Sequence, residues 1–284
     1  MATFQNQATL SYAGNVTMSN VVTGELQQTV TASKNAVSNT YTQDEVLTYV
    51  VSLVNTGSTA LTDLTVTDDL GAYTVGGNRL VPLDYVAGSL SYYVDGILQA
   101  TPAVTATDPL TVTGISVPAG SNAFLVYQVR VNEFASPTQG GTVTNTATVT
   151  GAGLTAPIVA SETVTAASEA FLTITKSLSP TTVSEGDRLT YTFVIQNFGN
   201  TPVVATDDAS ITDTFDPILS ELTVTFNGAV WTEGAEYTYD EATGVFTTVP
   251  TNILVPAATY TRNPATGAWT VVPGVSTLVV VGTV

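Results

Sequence analysis

Polar and apolar residues alternate one for one along nearly all of this 284-residue chain, and no helical period lasts beyond a turn or two. Turn signals interrupt the alternation at short, near-regular intervals, among them Asn55-Thr56-Gly57, Gly76-Gly77 and Asn227-Gly228. A strand with this period buries one face and shows the other to water, which closes off helical folds. Many short strands of this kind predict β-sandwich domains of immunoglobulin-like topology, and the length suffices for two of them.

An internal repeat divides the chain. Leu47–Gly57 (LTYVVSLVNTG) matches Leu189–Gly199 (LTYTFVIQNFG), and Val66–Leu70 (VTDDL) matches Ile211–Phe215 (ITDTF). Thr29–Lys34 (TVTASK) matches LTITKS one register along, which brings Lys34 over Lys176, and VPAG at Val117–Gly120 matches VPAA at Val255–Ala258. The first repeat, 26–165, runs on through NAFLVYQVRV to a closing hairpin from Thr142 to about Thr165. The second, 166–284, reaches the counterpart STLVVVGTV and has no such hairpin. Residues 1–25 carry one in its place: Phe4–Tyr12 (FQNQATLSY) parallels Val143–Gly151 (VTNTATVTG). Adding this segment to the second repeat brings it level in length with the first.

The expected fold is therefore all-β, with two tandem immunoglobulin-like sandwiches, the second completed by an N-terminal donor segment from a neighbouring subunit. An incomplete sandwich exposes an unpaired strand edge and a groove of apolar core. A strand added there gains main-chain hydrogen bonds while alternate side chains fill the groove. Phe4, Ala8, Leu10 and Tyr12 share one face of the donor and are the expected groove-filling residues. The donor precedes the first domain and the acceptor follows it, and about a dozen linker residues are too few to turn back across a domain. The expected partner is a second copy of the chain, in a head-to-tail contact that propagates as a fibre.

Composition narrows the chemistry. With no cysteine and no histidine, disulfides, thiolates and imidazole bases are closed off. Acidic residues outnumber basic ones by 23 to 6, and a net charge of −17 repels nucleic acid and anionic lipid. No apolar run approaches the roughly 18 residues of a membrane span. Met1 is followed directly by polar, strand-like sequence, with no secretory leader or sorting signal expected. No cofactor and no metal site are expected, and no constellation for a conventional enzyme stands out. Asp207, Asp208, Asp213 and Asp216 cluster without the ligand spacing of an EF-hand, which reads as solvated loop acids. Asn15-Val16-Thr17 is a glycosylation triplet, and Trp231 and Trp269 are expected in core or hairpin packing.

Three polar residues sit where apolar ones belong. The only lysines, Lys34 and Lys176, occupy the same repeat position on the apolar side of a first strand, among Val30, Ala32 and Ala36 or Leu172, Ile174 and Leu178. A buried lysine requires a partner. Asp68 lies between inward Val66 and Leu70, and Asp213 between Ile211 and Phe215. Asn145 lies between Val143 and Ala147, and Asn6 between Phe4 and Ala8. Burial lowers a lysine pKa and raises that of an aspartic acid. A neutral amine can then attack the asparagine carboxamide while the protonated acid polarises its carbonyl, and loss of ammonia leaves a Lys–Asn isopeptide bond. The other reading is a buried Lys–Asp ion pair with Asn completing a hydrogen-bond network. Asn55 and Asn197 are also inward-facing and are the alternative bonding amides, but their turns, NTG and NFG, favour a capping role for both.

A first-strand Lys, a TYxxxxxNxG strand, a VTDxL or ITDTF strand and a closing TNTATV strand together resemble the DUF11-type repeat of bacterial surface proteins. The Lys/Asp/Asn order also resembles the self-crosslinking domains of Gram-positive adhesins and pilins of the collagen-adhesin type. The resemblance implies a surface role, with Lys34 bonded to Asn145 beside the acid Asp68. It likewise implies Lys176 bonded to Asn6 beside Asp213, this second bond between subunits. The expected function is that of a structural subunit of an extracellular filament, on a bacterial cell or on a spore as an appendage. The alternative is a soluble adhesin or stalk fragment whose loops bind an unknown host or glycan ligand.

Overall fold

Threonine, valine and aromatic residues at alternate positions give strands throughout, and the fold is all-β. The computed structural model describes residues 2–26 and 29–284. Among them the one helical element is a 3-10 turn at Ala205–Asp207. The chain forms two compact units, one reaching Ser136 and including Thr142–Thr165, the other made of Pro137–Gly141 and Ala166–Val284.

At the front of unit 1 stand β1 (Ala2–Asn6), β2 (Thr9–Tyr12), β3 (Asn15–Met18) and β4 (Val22–Leu26). β2 pairs with β3 across Ala13-Gly14, both at positive φ (44° and 83°), the turn geometry that matches strand twist. β1 pairs with β4, and the register steps from Asn6–Val22 to Thr9–Met18, leaving an extra residue on the return arm. The result is one bulged hairpin in which every residue from Thr3 to Thr23 is exposed.

The rest of unit 1 contains β5 (Val30–Ala36), β6 (Thr40–Tyr41), β7 (Val46–Asn55), β8 (Leu61–Asp68), β9 (Tyr73–Val75), β10 (Asn78–Leu80) and β11 (Leu83–Tyr85). There follow β12 (Ser91–Val94), β13 (Ile97–Leu98), β14 (Ala103–Thr107), β15 (Leu110–Val117), β16 (Ser121–Val131), β17 (Thr142–Thr150) and β18 (Ile158–Ala166). One sheet runs β5-β7-β16-β12-β13, with β11 also on β16; the other runs β14-β15-β8-β17-β18-β6. Tyr49, Val51, Leu53 and Leu125 of the first sheet and Leu64, Val66, Ile115 and Val149 of the second are all buried, the two inner faces of a sandwich.

Unit 2 contains β19 (Leu172–Ser179), β20 (Arg188–Asn197), β21 (Thr212–Thr214), β22 (Ser220–Phe226) and β23 (Ala229–Trp231). After these come β24 (Tyr237–Asp240), β25 (Val245–Thr248), β26 (Thr259–Arg262), β27 (Trp269–Val272) and β28 (Gly274–Thr283). Its sheet β19-β20-β28-β22-β23 repeats β5-β7-β16-β12-β13 strand for strand. Its second sheet, β21-β25-β24, repeats β8-β15-β14 and goes no further. Where β17 and β18 extend the sheet of unit 1, no described strand pairs with the other side of β21. An aromatic cluster anchors what core there is, with Phe215 stacked on Tyr191 at 4.8 Å and tilted against Phe246 at 5.6 Å.

Candidate cross-linking sites

Strand parity turns Lys34 inward from β5, and its side chain has no exposed surface. β8 ends on Asp68, 1% exposed, whose Oδ2 forms an ion pair with Lys34 Nζ. The same oxygen accepts a hydrogen bond from the Tyr127 hydroxyl, and Asp68 Oδ1 accepts one from the Leu70 N–H at 2.9 Å. Tyr127 stacks on Tyr49, centroids 6.2 Å apart, and the Lys34 ammonium lies 4.9 Å from the Tyr49 ring centroid. Asn145 comes to this cluster on β17, which lies against β5. Asp69 fixes that strand: its carboxylate accepts from the Thr146 N–H at 2.9 Å while its own N–H donates to the Thr146 carbonyl.

Asn145 is wholly buried, and neither its carbonyl oxygen nor its amide nitrogen has a hydrogen-bond partner. A buried polar group left unpaired costs about 1–3 kcal/mol, and here two such atoms belong to one side chain. Burial lowers the Lys34 pKa, with the Asp68 charge and hydrogen bond pulling the other way. Burial, and then the Asp68 charge, raises Tyr127 well above the usual phenol value and raises Tyr49 as well. Asn145 lies close enough to the Tyr49 hydroxyl to offset a little of that rise, although neither group closes a hydrogen bond.

The ion pair and a neutral amine–acid pair differ by one proton moved from Lys34 Nζ to Asp68 Oδ2, and low polarity favours the neutral pair. From that state Nζ can attack Asn145 Cγ while the Asp68 O–H donates to Oδ1. The C–N bond to Nδ2 then breaks, Nδ2 takes one of the two amine protons by way of Asp68 and leaves as ammonia, Nζ keeps the other as the amide N–H, and Asp68 is again the protonated acid.

Unit 2 builds the same arrangement around an open side. The Lys176 ammonium pairs with Asp213 Oδ2 and lies 4.3 Å from the Tyr191 ring centroid, with Phe193 and Phe215 at 5.5 Å. Tyr191 stands where Tyr49 does in unit 1. Lys176, expected to be buried, is not: its side chain is 38% exposed. The physical reason is the cover. β5 has β17 against it, whereas all eight residues of β19 are exposed. Asn6 lies in the N-terminal hairpin opposite Val22, and Phe4, Ala8, Leu10 and Tyr12 lie along the same arm, all exposed.

One participant was not singled out from sequence. The pairing Tyr127–Tyr49 in unit 1 corresponds to Val280–Tyr191 in unit 2, so only Asp68 receives a phenolic hydrogen bond. Parity places Tyr127 inward, but its carboxylate partner lies 59 residues away in sequence, beyond the reach of local patterning.

The other polar residues have local roles. The Asn55 side chain donates to the Thr59, Val117 and Pro118 carbonyls and accepts from the Gly57 N–H. Asn197 donates to the Thr201 carbonyl and accepts from the Gly199 and Phe171 N–H groups, so both cap their turns. Asp207 accepts from the Val204 N–H, and Trp231 stacks on Phe226 at 4.9 Å. Arg262 lies over the Trp269 ring at 4.7 Å in the β26–β27 hairpin.

No protein-family model and no curated protein matches the sequence, so the likeness to DUF11-type repeats stands on the quoted residues alone. Solved structures resemble it distantly. The major pilin subunit of Bacillus cereus aligns over 96% of this chain and 73% of its own, at 12% identity and a TM-score of 0.34. The pilus backbone of Streptococcus pneumoniae aligns over 86% at 11% identity and 0.34, and this chain spans 55% of its length. A family 123 glycoside hydrolase of Clostridium perfringens aligns over 49% of this chain and 27% of its own, at 10% identity and 0.33. Likenesses this distant, to pilins and to an enzyme alike, say nothing of function.

Proposed function

We propose that the chain is a structural subunit of an extracellular filament, pilus-like or spore-appendage-like, in which residues 1–25 of one copy complete the second sandwich of the next. The observation that carries this reading is β19. Its counterpart β5 buries Val30 and Lys34, whereas β19 leaves Leu172, Ile174 and Leu178 in water, Ile174 by 53%. Fully burying such a side chain is worth about 1.5–3 kcal/mol, so the uncovered face favours any matching strand. The N-terminal hairpin has the matching surplus, with Phe4 51%, Leu10 61% and Tyr12 57% exposed on one side of its outgoing arm. Contiguous apolar surface of this kind marks an association site, and the outgoing arm parallels in sequence β17, the strand that lies against β5.

The same insertion would deliver Asn6 to Lys176 and Asp213, as β17 delivers Asn145 to Lys34 and Asp68. An Asn6–Lys176 isopeptide bond then locks each joint, and an Asn145–Lys34 bond stiffens unit 1. The unpaired Asn145 carboxamide supports bond formation over a buried ion pair alone, because the reaction removes its nitrogen as ammonia. Among the described residues no helix is long and apolar enough to cross a membrane. Assembly outside the cell, on a cell or spore surface, belongs to the same reading.

Denaturing mass spectrometry and a boiled gel of the natural assembly test it. A ladder of multimers, with two ammonias lost per joined subunit, is expected. A monomer one ammonia light would confine the bond to unit 1, and a monomer of full calculated mass would remove the covalent chemistry. Filaments that survive deletion of residues 1–25 would overturn the strand exchange itself.

A further inference from the structure

Unit 1 is closed by two strands rather than one. β17 pairs with β8 on one side and with β18 on the other, so the sheet gains an inner strand and a further one together. The N-terminal hairpin has the same two arms: β1 and β2 go out with the sequence of β17, and β3 and β4 return antiparallel to them.

The two arms are shaped to each other. Cross-strand partners point to the same face of a ladder. Phe4 opposes Gly24 and lays its ring across it, so closely that a Cβ built on Gly24 would stand 2.4 Å from the ring. The corresponding pair in unit 1 is Val143 with Val164, both buried. Phenylalanine with glycine and valine with valine divide a similar bulk between two facing positions, the kind of exchange a core tolerates. Asn6 likewise opposes Val22 where Asn145 opposes Glu162. A return arm that merely trailed in solvent would have no need of a glycine under Phe4. Alone, a two-stranded hairpin is marginal in water, and this one has no buried residue from Thr3 to Thr23.

Resting on the strand-exchange reading above, we propose that the inserted element is the whole Ala2–Leu26 hairpin of a second copy, which adds two strands to the sheet of β21. The outgoing arm pairs with β21 and the return arm becomes the strand beyond it, giving β24-β25-β21-outgoing-return after the order β14-β15-β8-β17-β18 of unit 1. The register follows. Ala147 faces Asp68 and Thr148 faces Thr67 in unit 1, so across the joint Ala8 faces Asp213 and Thr9 faces Thr212. Asn6 then stands to Asp213 as Asn145 stands to Asp68.

Gly24→Val tests the role of the return arm, with filaments of the full chain counted by electron microscopy and sedimentation. The substituted position lies in the exposed hairpin, so thermal melting of the two units serves as the folding control. Gly24→Val is expected to abolish filaments, because valine displaces the Phe4 ring. The double variant Phe4→Val/Gly24→Val, which installs the valine pair of unit 1, is expected to restore them. Undiminished filaments in Gly24→Val, with none after deletion of residues 1–25, would leave single-strand donation standing and overturn two-strand insertion. Loss in both valine variants would overturn it too, since packing between the arms would then not be the cause. Filaments after the deletion would overturn strand exchange as a whole.

Discussion

Tyr127 donates its phenolic hydrogen bond to Asp68 Oδ2, the same carboxylate oxygen that meets the Lys34 ammonium. With the Leu70 N–H on Oδ1, the buried carboxylate holds three donors. Asp213 meets Lys176 and accepts from the Thr214 N–H at 2.9 Å, but Val280 offers it no hydroxyl. The two lysines therefore face carboxylates with different hydrogen-bond partners.

Tyr127→Phe removes one donor from a buried carboxylate and adds nothing to replace it. In an Asn145→Ala background, where no bond can form in unit 1, the loss is expected to be about 1.5–3 kcal/mol, the range for hydrogen bonds to charged groups. Urea denaturation of the two variants measures it. A difference below about 0.5 kcal/mol, the scatter of neutral substitutions, would mean that Tyr127 does not hold Asp68 in solution.

Asp68→Asn separates acid catalysis from mere proximity. Lys34 and Asn145 stay in place, but the proton acceptor and the acid that polarises the carboxamide are both gone. The variant is expected to lose one ammonia fewer per subunit than the parent by intact mass. It should also be less stable by about 3–5 kcal/mol, because the Lys34 charge is left buried without its counter-ion. A variant that still loses the full count of ammonia would remove Asp68 from the acid role.

The pH dependence has a definite sign. Lys34 titrates in the folded Asn145→Ala variant, where burial holds its pKa below the ordinary 10.5 despite Asp68, Asp69 and Glu162 nearby. Between the folded and unfolded pKa values the unfolded chain binds more protons, so stability rises with pH across that window. Tyr49 and Tyr127 act oppositely: their raised folded pKa values take stability away only above the ordinary phenol value of 10.0. Comparing Asn145→Ala with Asn145→Ala/Lys34→Met by chemical denaturation up to pH 10 isolates the lysine. The single variant should gain on the double one as pH rises, and a flat difference would mean that Lys34 is not held in a depressed state.

Strand parity made part of this legible. A period of two says which side chains share a face, and Lys34, Asp68 and Asn145 fall inward because Val30, Val66 and Val143 do. Parity does not say what lies over a face. Lys34 and Lys176 have the same parity in matching strands, yet β17 lies against one strand and all of the other is exposed. The Tyr127–Asp68 contact was hidden for a related reason: it joins strands of opposite sheets, and only packing, not spacing, brings them together. Within the N-terminal segment, the shared face of Phe4, Ala8, Leu10 and Tyr12 is plain from alternation. The fit of Phe4 over Gly24 depends instead on the register of the return arm, which the bulge between Val22 and Met18 sets.

Insertion and bonding should come apart in single substitutions. Leu10 is 61% exposed in the isolated subunit, so Leu10→Asp leaves the melting of both units unchanged. Placed in the groove of a neighbour, the same aspartate carries a charge into apolar surroundings, and filaments should fail to form. Asn6→Ala keeps Phe4, Ala8, Leu10, Tyr12 and every main-chain hydrogen bond of the donor, so filaments should form. Without the carboxamide, no amide joins Lys176, and those filaments should fall to monomers on boiling in detergent while the parent leaves a ladder. Each monomer should still be one ammonia light from the Asn145–Lys34 bond. A ladder that survives Asn6→Ala would place the intersubunit bond on another residue. Absence of filaments in the same variant would mean that the bond drives assembly instead of sealing it.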